Sequence, residues 1–309
     1  MTTITLVERE MTEAEFSRMN AGFDEHSMEH GNPVHPSQRY TFVAMDGKLF
    51  VGCASGLTND NGQWLILTNL FIEQPYRGQG VGATVLAKLE EKAAALGVRN
   101  MWRWTAAYEA PGFYKRRGYV IVAELEHWYP SGHSQVGLHK ALEPYPTALT
   151  PYPDTKFISQ NSIMRPVRFI EREITDAELH LQNVRFREAS IAQGNPLKPS
   201  QRCSFVALEE GNFIGCACGS TNGFSDKHWF YLEELFLEKA YRRQGLGAEI
   251  LKKLEEKAAA LGVESIYTWT AGYEAPEFYK RQGYEVFCET KNWYLSGHSR
   301  VGLRKALQS

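Results

Sequence analysis

Apolar and polar positions alternate through TFVAMDGKLFVGCASGL (residues 41–57) around Asp46 and Gly47, a pattern that predicts two strands joined by a tight hairpin. WLILTNLFI (64–72) and WFYLEELFL (229–237) are short apolar runs that read as buried strands. The spacing predicts helices over residues 12–28 and 175–192. After residue 80 the period becomes helical: Val85, Leu86, Leu89, Ala93 and Leu96 fall on one face, and Gly97 closes the segment. MWRWTA (101–106) is the next strand, APGFYKRRGY (110–119) a short helix ended by Gly118, and the SGHS segment precedes a last strand. Strands and helices in that order make an α/β domain with a mixed sheet.

The same order occurs twice. Trp64 to Tyr119 aligns without gaps to Trp229 to Tyr284 at roughly two-thirds identity, a period far too long for a solenoid. GNPVHPSQR (31–39) matches GNPLKPSQR (194–202), and SGHSQVGLHKAL (131–142) matches SGHSRVGLRKAL (296–307). The early register is two residues shorter, as expected at a hairpin tip near residues 58–63. Whole domains have been duplicated, with expected limits of 1–142 and 164–309. The Pro, Ser and Thr content of residues 143–163, without apolar periodicity, suits a linker.

Composition narrows the partners. The 309 residues carry 34 basic and 36 acidic side chains, a net charge of −2 with no block of like charge, so nucleic acid and anionic membrane are poor partners. The five cysteines lack zinc-site spacing and are odd in number, which argues against a metal or a disulfide framework. MTTITLVEREMTEAEF lacks the pattern of a secretory leader and no stretch is apolar enough to span a bilayer, so a cytoplasmic location is expected.

The most informative segment is Arg77, Gly78, Gln79, Gly80, Val81, Gly82 and Ala83, repeated as Arg242, Arg243, Gln244, Gly245, Leu246, Gly247 and Ala248. It follows a buried strand and opens an amphipathic helix, where free N–H groups and the helix dipole favour an anion such as a phosphate. A nicotinamide-binding loop needs a different glycine spacing after the first strand and an acidic residue about 20 residues later, and neither is present.

At these residues the chain resembles the GNAT superfamily, whose pattern Arg/Gln-x-x-Gly-x-Gly/Ala sits at this junction. FYKRRGY (113–119) and FYKRQGY (278–284) are similar to the later helix of that family. The resemblance implies two acyl-CoA N-acyltransferase domains in tandem, each α/β with a mixed sheet, each holding the pyrophosphate of acetyl-CoA, the co-substrate, on its glycine loop. It implies that Tyr114 and Tyr279 lie near the sulfur of CoA, where a phenol can protonate the leaving thiolate. Strand N–H groups before the loop would polarise the carbonyl.

The two copies differ at the expected base. The segment around Glu233 is similar to polyamine acetyltransferases in which a glutamate there accepts the proton, whereas the first copy has Thr68, with Asn69 opposite Glu234. A carboxylate among apolar strand residues is expected to have a raised pKa; the alternatives are pairing with an arginine, or a base at Glu25 and Glu188 on the early helix. Ala107 and Gly272 depart from the asparagine that many members of the family carry. Trp102 and Trp104, and Tyr267 and Trp269, share a strand face and either pack the sheet or line an acceptor pocket. His133 and His298 read as turn histidines, and no metal role is assigned to His26, His30 or His35.

The expected function is acetyl transfer to a primary amine of a small molecule by the more competent second domain. Protein or peptide acetylation, and an acyl-CoA-binding module with one silent domain, remain alternatives. An intramolecular pseudo-dimer or a homo-oligomer is compatible with the duplication.

Overall fold

A computed structural model describes residues 3–59, 62–142, 167–224 and 229–307. The first repeat forms β1 (Ile4–Glu8), α1 (Glu13–Glu29), β2 (Arg39–Asp46), β3 (Leu49–Thr58), β4 (Trp64–Ile72), α2 (Val81–Ala95), β5 (Asn100–Ala106), α3 (Pro111–Lys115), β6 (Val120–Leu125) and β7 (Gln135–Ala141). The second forms β8 (Arg168–Glu171), α4 (Asp176–Ala192), β9 (Arg202–Glu209), β10 (Asn212–Thr221), β11 (Trp229–Leu237), α5 (Leu246–Ala260), β12 (Ser265–Ala271), α6 (Pro276–Arg281), β13 (Glu285–Thr290) and β14 (Arg300–Ala306). Local chemistry sets the boundaries. Thr12 accepts a hydrogen bond from the Glu15 amide while the Glu15 side chain accepts from the Thr12 amide, a reciprocal cap that starts α1. Asp46 and Gly47 (φ 60°) make the hairpin between β2 and β3.

Two seven-stranded mixed sheets result, in the orders β1-β9-β10-β11-β12-β14-β13 and β8-β2-β3-β4-β5-β7-β6. Each repeat therefore contributes its first strand to the sheet built by the other. β1 pairs antiparallel with β9, Ile4 facing Glu209 and Glu8 facing Phe205, and β8 pairs antiparallel with β2. The helix that follows each strand goes with it. On α1, Met19 is fully buried against Cys216 and Phe236, and a Cβ on Gly22 would stand 2.4 Å from the Phe236 ring, so glycine permits the close approach. On α4, Gln182 is buried and accepts a hydrogen bond from the Cys53 thiol at 3.2 Å.

The compact units consequently interleave along the chain: one comprises Met1–Val34, Ala123–Gln135 and Ser190–Ser309, the other His35–Val122 and Val136–Ala189. The expected linker, 143–163, lies outside the described residues. In the unit that contains β11, the core joins Phe230, Leu232, Ile250, Leu254, Tyr279 and Leu303; in the other, Leu65, Leu67, Leu86, Leu89, Met101 and Tyr114 do the same. All five cysteines are buried and unbridged. No helix among the described residues is long and apolar enough to cross a membrane.

Candidate active site

The central feature of each sheet is a parallel pair that separates. β11 and β12 are in register only at Trp229–Ser265, Phe230–Ile266 and Tyr231–Tyr267, although both strands continue for several residues. β4 and β5 do the same from Trp64–Asn100 to Ile66–Trp102. Beyond the third pair the strands no longer satisfy each other's backbone groups, which leaves an opening lined by peptide donors and acceptors. A bulge enters β11 at the same place: Cys218 faces Glu234 and Gly219 faces Leu232, so Glu233 is the extra residue. Thr68 takes that position in β4.

The glycine loop closes one end of the opening. Gly245 adopts φ 87° at the N-cap of α5, and Gly80 adopts φ 84° at that of α2; neither helix start is capped by a side chain. Arg243 (φ 62°) and Gly78 (φ 74°) are also left-handed, so alternate residues turn their amides toward one side. Arg77 and Arg242 bond back to the strand before the loop. Their Nε atoms donate to Ile72 O (2.8 Å) and Leu237 O (2.9 Å), tying the loop to the strand end. Gln79 and Gln244 donate to the carbonyls of Pro75 and Ala240. Gly82 and Gly247 sit against Ile72 and Phe113, and against Leu237 and Phe278, where a side chain would enter the strand–helix contact; Val81 and Leu246 are buried, and Ala83 and Ala248 complete the first turn. Nothing lies within 4 Å of a Cβ added to Gly245. Gly245→Ala is therefore expected to cost only the left-handed conformation, about 1–2 kcal/mol in urea unfolding; an unchanged midpoint would show that this loop adopts another conformation.

The second repeat places Tyr279 and two glutamates at the opening. Tyr279 is buried and burial pushes its phenol well up, so it is a protonated donor at neutral pH; Thr268 is its hydrogen-bonding neighbour. Glu233 has both oxygens engaged, one by Arg202 and the other by the Ser220 hydroxyl. Arg202 also contacts Glu10 at 3.1 Å. Glu234 differs. Burial, then repulsion from Glu233 and Glu274, raises its pKa to about 7. The resemblance to polyamine acetyltransferases points to Glu233 as the base, and it gives no role to Glu234. Two consecutive glutamates inside an apolar strand were the available signal.

The other expected residues fall as follows. Glu25 pairs with Arg18 at 2.9 Å and Glu188 with Arg185 at 3.0 Å, both at exposed positions. His133 and His298 are bonded through Nδ1 to Ser131 and Ser296 in their own turns. Arg300 stacks over Trp269 at 4.5 Å and over Trp293 at 4.8 Å, so a protein cation already covers one Trp269 face. Tyr231 stacks on Tyr267 at 4.9 Å. Helix α1 brings His30 onto Tyr273, stacked at 4.9 Å, with the Ser27 hydroxyl 3.3 Å from the Tyr273 phenol. Burial lowers the pKa of the adjacent His26. These side chains reach the sheet that holds Glu234 only because α1 is exchanged.

A cavity of about 200 Å³ lies beside the second loop, lined by Ile4, Leu6, Tyr241, Gln244, Leu246 and Glu249. A wider one, about 890 Å³, is lined by Glu255, Glu264, Glu285, Arg304 and Lys305 among others. None of the loop glycines, Glu234 or Tyr279 borders it, so the strand opening and not this charged groove carries the candidate chemistry.

Residues 168–284 match the acetyltransferase (GNAT) family and residues 37–121 match an acetyltransferase (GNAT) domain. The chain belongs to the GNAT family. It carries two acetyltransferase (GNAT) domains in tandem, and members of this family generally use acetyl-CoA. Among its relatives, the L-ornithine N5-acetyltransferase of Arabidopsis thaliana is 32% identical over 85 residues, 26% of this chain and 37% of the relative. The blasticidin-S acetyltransferase of Streptomyces morookaense is 35% identical over 81 residues, 26% of this chain and 59% of that protein. The chain thus spans less than two thirds of the length of either relative. A solved acetyltransferase from Bacillus cereus ATCC 14579 aligns with 44% of this chain and 96% of its own at 23% identity and a TM-score of 0.39.

Proposed function

We propose that the chain transfers the acetyl group of acetyl-CoA to a primary amine of a small molecule, at the opening between β11 and β12. The observation that carries this reading is the presence there of two groups whose pKa values burial raises: Glu234, to about 7, and Tyr279, which stays protonated. Such a pair is suited to remove a proton from one atom and deliver one to another.

In the proposed sequence, the first-turn amides of α5 and the loop Arg242 to Ala248 receive the pyrophosphate. Glu234, as carboxylate, takes one proton from the ammonium form of the acceptor. The neutral amine attacks the thioester carbon, forming the C–N bond, while β11 amides beyond the last paired residue stabilise the oxyanion. Collapse breaks the C–S bond, Tyr279 protonates the thiolate, and the proton remaining on nitrogen passes to solvent. Glu233 is assigned to positioning: its charge, held by Arg202 and Ser220, keeps the pKa of Glu234 high. In the first repeat Tyr114 and the loop Arg77 to Ala83 are the corresponding residues, with Thr68 and Asn69 in place of the carboxylates.

The acceptor class draws on the two relatives, whose names specify ornithine and blasticidin-S. The test is thiol release from acetyl-CoA with diamines, amino acids bearing a side-chain amine, and lysine peptides supplied separately. Turnover is expected with the small amines. Faster turnover of the peptides would replace this reading with protein acetylation.

A further inference from the structure

The two openings differ at one strand position that neither loop nor carboxylate accounts for. Arg103 on β5 occupies the place of Thr268 on β12. Thr268 is small and buried, and its hydroxyl donates to a single β11 carbonyl, Leu232 O, at 2.9 Å. Arg103 reaches across. Its Nη1 donates to Leu67 O at 3.1 Å and to Thr68 O at 2.5 Å, the first two β4 carbonyls beyond the last paired residue, Ile66. Its guanidinium also contacts Tyr114, whose phenol pKa burial raises on balance although this cation acts against the rise. The Arg103 Nε is buried without a hydrogen-bond partner among the described residues.

We infer that Arg103 closes the thioester position of the first repeat, so that the chain holds acetyl-CoA productively at one opening only, that of the second repeat. The inference rests on the proposed acetyl-CoA reading and extends it to the count of sites. Three physical consequences of Arg103 act together. The guanidinium occupies the gap between separated strands that in the second repeat is left open by threonine. Its two hydrogen bonds convert β4 carbonyls that border an open gap into satisfied groups, and displacing it would leave them and the cation unpaired in a part-buried place. A fixed positive charge beside Tyr114 also repels an ammonium acceptor. Thr68 and Asn69 add nothing that could take a proton there.

The test counts bound acetyl-CoA by titration calorimetry on the whole chain. One equivalent is expected for the native chain, and two for Arg103→Thr, which installs the residue that the second repeat uses. Gly247→Asp, which sets a carboxylate at the N-terminal turn of α5, is expected to bind none. Two equivalents in the native chain, one remaining in Gly247→Asp, or one in a folded Arg103→Thr would each overturn the inference while leaving acetyl transfer by the second repeat intact. No binding by the native chain or by Arg103→Thr would overturn the acetyl-CoA reading itself. The native count, one against two, decides the matter even if neither variant folds. A second native equivalent appearing only with a carboxylated acyl-CoA such as succinyl-CoA would also overturn it, by making Arg103 a ligand for the acyl chain.

Discussion

Glu234→Gln is expected to lower turnover of a primary amine by about 10²–10⁴-fold, the range that a positioned general base contributes. The native chain should gain activity with rising pH through about 7, as Glu234 loses its proton, and the variant should lose that limb. Glu233→Gln provides the discriminating comparison. It removes the neighbouring negative charge and frees Arg202, so the limb should move to lower pH while most turnover is kept at alkaline pH. A positioning role predicts this shift, whereas loss of all turnover in Glu233→Gln with an unchanged Glu234→Gln would return the base to Glu233. Stability gives a second readout. A carboxyl whose pKa is raised by folding binds its proton more tightly in the native state, so its contribution is present at low pH and declines as pH rises through the folded value. Glu234→Gln should consequently be more stable than the native chain at about pH 8 and little different at about pH 4. Higher stability with lost turnover would mark a residue kept for chemistry.

Removing residues 1–34 is expected to abolish cooperative folding of the sheet that contains β11, although every one of those residues precedes the second repeat by more than a hundred positions. The truncation strips β1 from the edge of β9 and uncovers Cys216 and Phe236 by removing α1. Met19→Ala measures the same contact gently. A fully buried Met cut to Ala costs about 2–5 kcal/mol, and hydrogen exchange should show the loss in β9, β10 and β11, not in β2, β3 and β4. A truncated chain that melts and turns over like the native one would mean that β8 and α4 can take the vacated place. Gln182 in the place of Met19 would then meet Cys216, and Arg185 in the place of Gly22 would meet the Phe236 ring. That mismatch is the physical reason to expect failure.

Much of this was readable along the chain. The hairpin at Asp46 and Gly47 and the helix started by Thr12 follow from local backbone chemistry, and they form where the pattern predicts them. The same holds for the helices that open at the glycine loops and for the short helices begun by Pro111 and Pro276. The duplication and the mixed α/β sheets were likewise legible, since each needs only the order of elements. Sequence also named Tyr114 and Tyr279, and the structure buries both beside the separated strands.

What sequence could not decide is which copy of an element meets which. VERE (7–10) and IERE (170–173) carry nearly the same pattern, so either strand satisfies the edge of either sheet by backbone hydrogen bonds that do not read side chains. Side-chain fit across long range selected the exchange, Met19 with Cys216 and Gln182 with Cys53. The same limit applied at the candidate site. Glu233 and Glu234 are neighbours in sequence, and only the bulge, Arg202 from β9 and Ser220 from β10 separate a paired carboxylate from one whose pKa burial raises to about 7. Arg103 was likewise one more strand residue until the parting of β4 and β5 gave its guanidinium two carbonyls to bridge. Local propensity and periodicity fix elements one at a time; burial and charge pairing are properties of elements brought together, and those decided the chemistry.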